Sequence, residues 1–286
     1  MLDQFNSEKW FKKFKLKAFP EPEYIQLRHP VLLCHGYGAF ASLVKPSPLN
    51  DVAMFMRSHG VPAFAPNIVP YAKIEIRSKE WKTLIRQLSE RYDISKFNIV
   101  AHSMGGLDIR YALSKLELER YVASLTTVAT PHHGTSLAEL VLKAPDSVQG
   151  KLGDFFDWMG DRVYPKTKSD AIGSVKQLTR SYVQERFNNE IRNLESIPYF
   201  SFSAAVGKGT TAPIETVIRF QNNHIYENEG INDGLVSARS AIWGEHIKTA
   251  PISHLEQMSL RTDKDRMPVV KSFWLDVLKM LQEKGF

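Results

Sequence analysis

The segment Asn98-Ile99-Val100-Ala101-His102-Ser103-Met104-Gly105-Gly106 limits what this chain can fold into more than any other. Residues 97–100 read as a short buried strand and 104–116 as a helix, with Ser103 at the turn between them. Only tiny residues fit two positions before and two positions after a serine in so tight a turn, and Ala101 and Gly105 stand there. Ala101 occupies a place that is usually glycine, and its methyl is the smallest possible side chain. The turn lifts the serine hydroxyl above the end of the strand, and the helix start favours negative charge developing beside it. Ser103 is therefore the candidate nucleophile.

A strand that feeds a helix in this way belongs to a βαβ unit, and the rest of the chain repeats the pattern. Val31-Leu32-Leu33-Cys34 is a strand candidate ending at His35-Gly36. Asn50 and Asp51 can cap a helix that Gly60 stops, and 61–65 reads as the next strand. Residues 81–92 read as helix and 121–128 as strand, while 198–205 and 236–243 are read as later sheet elements. The class is α/β with a mainly parallel sheet. Between 137 and 197 no strand is evident, which is too long for an ordinary connection. Apolar residues recur there at helical spacing (Leu137, Leu140 and Val141, then Phe155, Phe156, Trp158 and Met159), so this stretch reads as a helical cap or lid inserted into a single domain spanning 1–286.

A serine hydroxyl attacks only when a base takes its proton, and the base needs an acid to fix its tautomer. On a parallel-sheet scaffold the order expected after the serine is acid, then histidine. Asp233 follows in the glycine-flanked turn Gly230-Ile231-Asn232-Asp233-Gly234, and His254 in the loop Pro251-Ile252-Ser253-His254-Leu255-Glu256. His246 also lies after Asp233 and is the main rival base; His224, His132 and His133 are others. An oxyanion would need two backbone N–H donors. Met104 supplies one by its position after Ser103, and Tyr37, in His35-Gly36-Tyr37-Gly38, is the natural second.

The composition is 43% hydrophobic and 24% charged, which fits a folded globular chain rather than a disordered one. The chain has one cysteine, Cys34, so it forms no intramolecular disulfide. A net charge of +6 raises the question of nucleic acid, but the basic residues are scattered and no nucleic-acid module is recognisable. The one concentration is Lys9 to Lys17, where five lysines interleave with aromatic and apolar residues. That stretch is either a solvated face or a surface for transient contact with lipid. No secretory signal is read at the N-terminus, so the expected location is cytoplasmic, or secreted with the signal already removed.

In order along the chain, His29-Pro30-Val31-Leu32-Leu33-Cys34-His35-Gly36, the Ser103 elbow followed by Asp108-Ile109-Arg110-Tyr111, the run from Val122 to Thr135, Asn232-Asp233-Gly234-Leu235-Val236 and His254-Leu255-Glu256 resemble bacterial true lipases of the Pseudomonas type. The resemblance implies the α/β-hydrolase fold, a triad of Ser103, Asp233 and His254, and an oxyanion hole from the backbones of Tyr37 and Met104. It favours His254 over His246, and makes 137–197 a lid whose Phe155, Phe156 and Trp158 meet substrate. It also implies a structural calcium held by an aspartate two residues after the histidine; Glu256 stands at that place, and no second carboxylate ligand is identifiable. No cofactor is expected in the chemistry. The expected activity is hydrolysis of acylglycerols through an acyl-enzyme, with a short-chain carboxylesterase, or an acyltransferase or polyester hydrolase on the same scaffold, as alternatives. The sequence leaves the oligomeric state open.

Overall fold

Strand β1 (Val31–Cys34) has all four residues buried, and its side chains divide by parity: Val31 and Leu33 enter one apolar cluster, Leu32 and Cys34 another. That is the period of two of a strand covered on both faces, as parallel sheets require. The computed structural model describes residues 23–36, 47–143, 171–258 and 263–286. The basic stretch Lys9 to Lys17, Tyr37, and the lid residues Phe155, Phe156 and Trp158 lie outside the described residues.

Five further strands complete the sheet among the described residues: β2 (Ala63–Phe64), β3 (Phe97–His102), β4 (Val122–Val128), β5 (Tyr199–Ala204) and β6 (Glu245–Ala250). The order is β2-β1-β3-β4-β5-β6 and every pairing is parallel. One face is covered by α1 (Asn50–Ser58) and the C-terminal helix α7 (Met267–Glu283), whose Val270, Phe273, Trp274, Val277, Leu278 and Leu281 recur at helical spacing and are buried. The other is covered by α2 (Ile74–Tyr92) and α3 (Gly105–Lys115) through Trp81, Ile85, Ile109, Ala112 and Leu113. From β1 the chain steps outward to β2 and returns to β3 on the opposite side. The sheet order thus reverses between β1 and β3, and ligands of open α/β sheets bind beyond the strand ends at such a point. Here those ends are Cys34 and His102, which lead directly to His35-Gly36 and to Ser103.

The β4–β5 connection carries α4 (Ser136–Lys143), α5 (Ala171–Lys176) and a π-helical turn (Tyr182–Phe187), and no strand appears in its described part. Leu137, with Leu140 and Val141 beside it, packs against Ile225 of α6 (Arg219–Glu229) and Leu235, so the start of the 137–197 stretch is bound to the body of the molecule. The Glu139 carboxylate receives hydrogen bonds from the Arg180 backbone and guanidinium, tying the first described part of this stretch to the last. The π-helical turn places Val183 and Phe187 against Met104 and Leu107, directly over the elbow helix.

Two local expectations need correction. The residue before α1 is Leu49, which has no side-chain acceptor to cap the helix; its N–H instead meets Ser47 Oγ at 3.4 Å. Gly60, at φ +84°, does end the segment. Residues 236–243 form turns, not a strand, and the sheet resumes at β6. Their alternating apolar residues resemble a strand, but Ser237 donates to Glu229 and Ser240 to the Gly134 carbonyl, and these bonds curl the chain around the end of the sheet.

Candidate active site

Ser103 adopts φ +56°, a left-handed conformation uncommon for a residue with a side chain. The surroundings hold it there. Its N–H extends the β3–β4 pairing to the Val128 carbonyl at 2.9 Å, and its carbonyl accepts from Thr130 Oγ1 at 2.7 Å and from Gly106 N at 3.0 Å as the helix begins. The neighbours must be small because the loop after β1 presses on the turn. A Cβ on Gly105 would lie 2.7 Å from the Cys34 carbonyl, and one on Gly36 would lie 2.6 Å from Ser103 Cβ and 2.9 Å from Met104 N. Gly36 thereby leaves open the space in front of the Met104 N–H. Ser103 is partly exposed while the elbow residues on either side of it are buried.

Arg77, fully buried on α2, pins this loop. It donates to the carbonyls of His35 and Val69, each at 2.8 Å, and its Nε pairs with Asp108 Oδ2 at 2.8 Å. Burial pushes the Asp108 carboxyl up to about 6 against the opposing pull of Arg77. His35 gives its Nδ1–H to the Gly36 carbonyl and accepts the Ile68 N–H at Nε2; burial, then Arg77, holds its pKa down to about 3, so the ring is neutral.

Asp233 and His254 meet on the same end of the sheet. The carboxylate can only accept, so His254 Nδ1 donates to Asp233 Oδ2, at 2.7 Å, which leaves the lone pair of Nε2 as a base. The other carboxylate oxygen accepts the N–H groups of Leu235 and Val236 at 3.0 and 2.8 Å, an Asx turn that fixes the acid, and the His254 N–H bonds to the Asp233 carbonyl at 2.9 Å. The His254 ring lies 4.5 Å, centroid to centroid, from the ring of His102, the residue before Ser103. Serine elbow, imidazole and carboxylate therefore share one site, and such a set can pass a proton from a hydroxyl to an imidazole stabilised by a buried anion.

The rival histidines are engaged elsewhere. His246 on β6 bonds Ser203 Oγ at 2.9 Å. His224 approaches the Ser136 carbonyl at 3.4 Å. His132 is buried between the Arg110 guanidinium, which donates to Nδ1, and Thr127 Oγ1. His133 faces Trp243, as does Arg110, whose guanidinium stacks 3.6 Å above the indole.

Glu256 does not fit the calcium role that the resemblance implies. Both of its carboxylate oxygens accept from Arg266, at 2.7 and 2.9 Å, and one also accepts the Ser253 N–H at 2.8 Å. That carboxylate is already paired with a guanidinium, and among the described residues no group of three or more His, Cys, Asp or Glu side chains is placed to hold a metal. The sequence reading missed Arg266, Arg77 and Gln257, whose importance arises from distant contacts that no local motif announces.

The sheet, the elbow at its switch point and the acid–histidine pair define an α/β-hydrolase fold with the constellation of a serine hydrolase. Comparison with known proteins agrees: residues 67–140 match a family model described as an alpha/beta hydrolase of unknown function. The chain is similar to triacylglycerol lipase 2 of Saccharomyces cerevisiae, with 26% identity over 82% of this chain and 73% of that one. It is also similar to the triacylglycerol lipase of Pseudomonas fragi, with 23% identity over 91% of this chain and 98% of that one. The crystal structure of a Bacillus licheniformis lipase in its mature form superposes with a TM-score of 0.67 at 19% identity, covering 92% of this chain and 96% of that one. The resemblance to Pseudomonas-type lipases read from the motifs is thus matched along nearly the whole chain.

Proposed function

We propose that this protein is a serine-dependent carboxylic ester hydrolase whose substrates are acylglycerols. The observation that carries the reading is the buried His254–Asp233 hydrogen bond, set beside the strained Ser103 turn at the sheet's switch point. The lipase names of the two relatives favour acylglycerols over other esters. In the proposed reaction Ser103 Oγ attacks the ester carbonyl while His254 Nε2 takes its proton, and the oxyanion is received by the N–H groups of Met104 and Tyr37. His254 then protonates the departing alcohol. A water, deprotonated by the same imidazole, releases the acid and restores Ser103. Asp233 stabilises the imidazolium throughout.

His102 must stay neutral for this to work, because a second positive ring against His254 would oppose imidazolium formation. Burial, and then His254 itself, hold its pKa well below the ordinary histidine range. The chemistry needs no cofactor in this reading.

The 137–197 stretch is proposed as a cap over the site, with Phe155, Phe156 and Trp158 meeting the acyl chain or a lipid surface. The position of the π-helical turn over Met104 supports it, since it brings the end of this stretch onto the elbow helix. Rates across esters from acetate to stearate, with Ser103→Ala as control, test the whole reading. A rise toward long acyl chains and emulsified substrate, abolished in the control, is expected. Hydrolysis confined to short soluble esters would make the protein a carboxylesterase, and hydrolysis unaffected by Ser103→Ala would overturn the mechanism.

A further inference from the structure

Gln257 lies three residues after His254, on the short 3-10 turn Glu256–Met258, and its side chain is fully buried. Its Nε2 donates to Asp233 Oδ2 at 3.1 Å, the same oxygen that receives His254 Nδ1–H, and its Oε1 meets His102 Nε2 at 3.0 Å. A carboxylate has no proton to give here, so the amide nitrogen must face Asp233 and the amide oxygen must face His102. An amide oxygen can only accept. His102 must therefore carry its proton on Nε2 and donate it, and this sets its tautomer from three groups in series.

We propose that Gln257 is a positioning residue of the acid and base: through the His102 ring it ties Asp233 to the strand that delivers Ser103. The proposal rests on the ester-hydrolase reading and extends it. Other side chains hold the two segments to the body of the molecule, Asn222 through Asn232 and Arg266 through Glu256, but neither bonds the acid itself to the strand that carries Ser103. With the Gln257 tie, the acid is bonded on one side to the base and on the other, through one amide and one imidazole, to the residue adjoining the nucleophile. His102 and Gln257 are 155 residues apart, so the bond closes the site across the fold. A glutamine suits the task because it supplies a donor and an acceptor without charge. The titratable groups facing the pair are His35, from the loop after β1, with His254 and Asp233 from the loops at the sheet end. The His102 ring is buried and bonded to Gln257, and burial is the main cause that holds it neutral, so the tie stays uncharged beside the dyad.

The test pairs two same-sized variants with a measurement that needs no substrate. Gln257→Met removes both hydrogen bonds, and Gln257→Glu replaces the donor facing Asp233 by a group that donates only when protonated. On a soluble short-chain ester, Gln257→Met is expected to lower kcat by about ten- to a hundredfold, the scale of small misplacements of reacting groups, with KM unchanged. Gln257→Glu is expected to lose activity more steeply as pH rises, because an ionised carboxylate would face Asp233. Nitrogen-15 histidine spectra of the wild-type protein are expected to show His102 protonated at Nε2, and the His254 Nδ1–H resonance is expected to broaden in Gln257→Met. Unchanged kcat in Gln257→Met, or His102 protonated at Nδ1 in the wild type, would overturn the proposal. Wild-type protein inactive on every ester would instead sink the ester-hydrolase reading, and the spectra would still decide whether the tie exists.

Discussion

His254 Nδ1 donates to Asp233 Oδ2 at 2.7 Å, between two side chains that are respectively 3% and 0% exposed. In so dry a setting the interaction is far stronger than it would be in water, and its direction leaves the opposite ring nitrogen free to act as a base. Ser103→Ala and His254→Ala are each expected to reduce ester hydrolysis at least about a thousandfold, because members of such a set act as a unit. Asp233→Asn is expected to cost at least about a hundredfold through the wrong imidazole tautomer. His246→Ala, which alters a ring bonded to Ser203 on β5, is expected to leave the rate close to wild type. A dead His246 variant beside an active His254 variant would reverse the assignment of the base.

The close approach of Gly36 to the elbow makes a second prediction. In Gly36→Ala the new methyl would meet Ser103 Cβ at 2.6 Å and crowd the space before Met104 N. The backbone there must shift, and losing one oxyanion donor typically costs about a hundredfold or more in kcat. Kinetics on a soluble ester, alongside a melting curve, should show that loss with only a modest change in melting temperature. Unaltered kcat would mean that this loop does not border the reacting oxygen.

Arg266 bears on the role of calcium. Its guanidinium satisfies both oxygens of Glu256, which is 5% exposed, and it also donates to the Pro251 carbonyl at 2.6 Å, so it secures both ends of the His254 loop. Removing one partner of a buried pair leaves the other charge uncompensated, at a cost of about 3 kcal/mol or more. Arg266→Met is expected to lower the melting temperature by several degrees and to reduce activity with it. The wild-type protein is expected to melt at the same temperature with and without a chelator. Chelation that destabilises the wild type, reversed by calcium, would contradict this account.

Acid should destabilise the protein well above the range in which carboxylates titrate. His35, His102 and His132 are buried and their pKa values are depressed mainly by burial, that of His35 to about 3. In the unfolded chain each imidazole would bind a proton as pH falls through 6.5, while in the folded chain it would not. The unfolded state then binds more protons, so stability is full above that pH and is lost progressively below it. Each such histidine contributes up to about 1.4 kcal/mol per pH unit in that window. Denaturation midpoints measured between pH 7 and 5 should fall, and His132→Asn, which keeps a polar side chain beside Arg110 and Thr127, should make the fall shallower. A flat profile would mean that these rings are protonated in place.

Much of the fold was legible because its determinants are local. Strands β1, β3 and β4 are apolar runs bounded by turns, and the Ser103 elbow follows from a steric rule on residues two positions away, so nearest neighbours alone expose both. The C-terminal helix α7 carries the same kind of local signal in its buried stripe from Val270 to Leu281. Residues 236–243 failed the same test, because alternation cannot reveal that Ser237 and Ser240 will find bonding partners on other segments.

The sequence by itself determined the parallel α/β class, the nucleophile turn and the order in which serine, aspartate and histidine appear, since these depend on periodicity and on contacts within a few residues. Only the tertiary structure decided which histidine reaches Asp233, that Arg266 pairs with Glu256, that Arg77 holds the loop beside Ser103, and that Gln257 and His102 join the acid to the nucleophile strand. Those contacts link residues from 10 to 155 positions apart. Buried polar groups must find partners wherever the packing brings them, and no local pattern encodes where that will be.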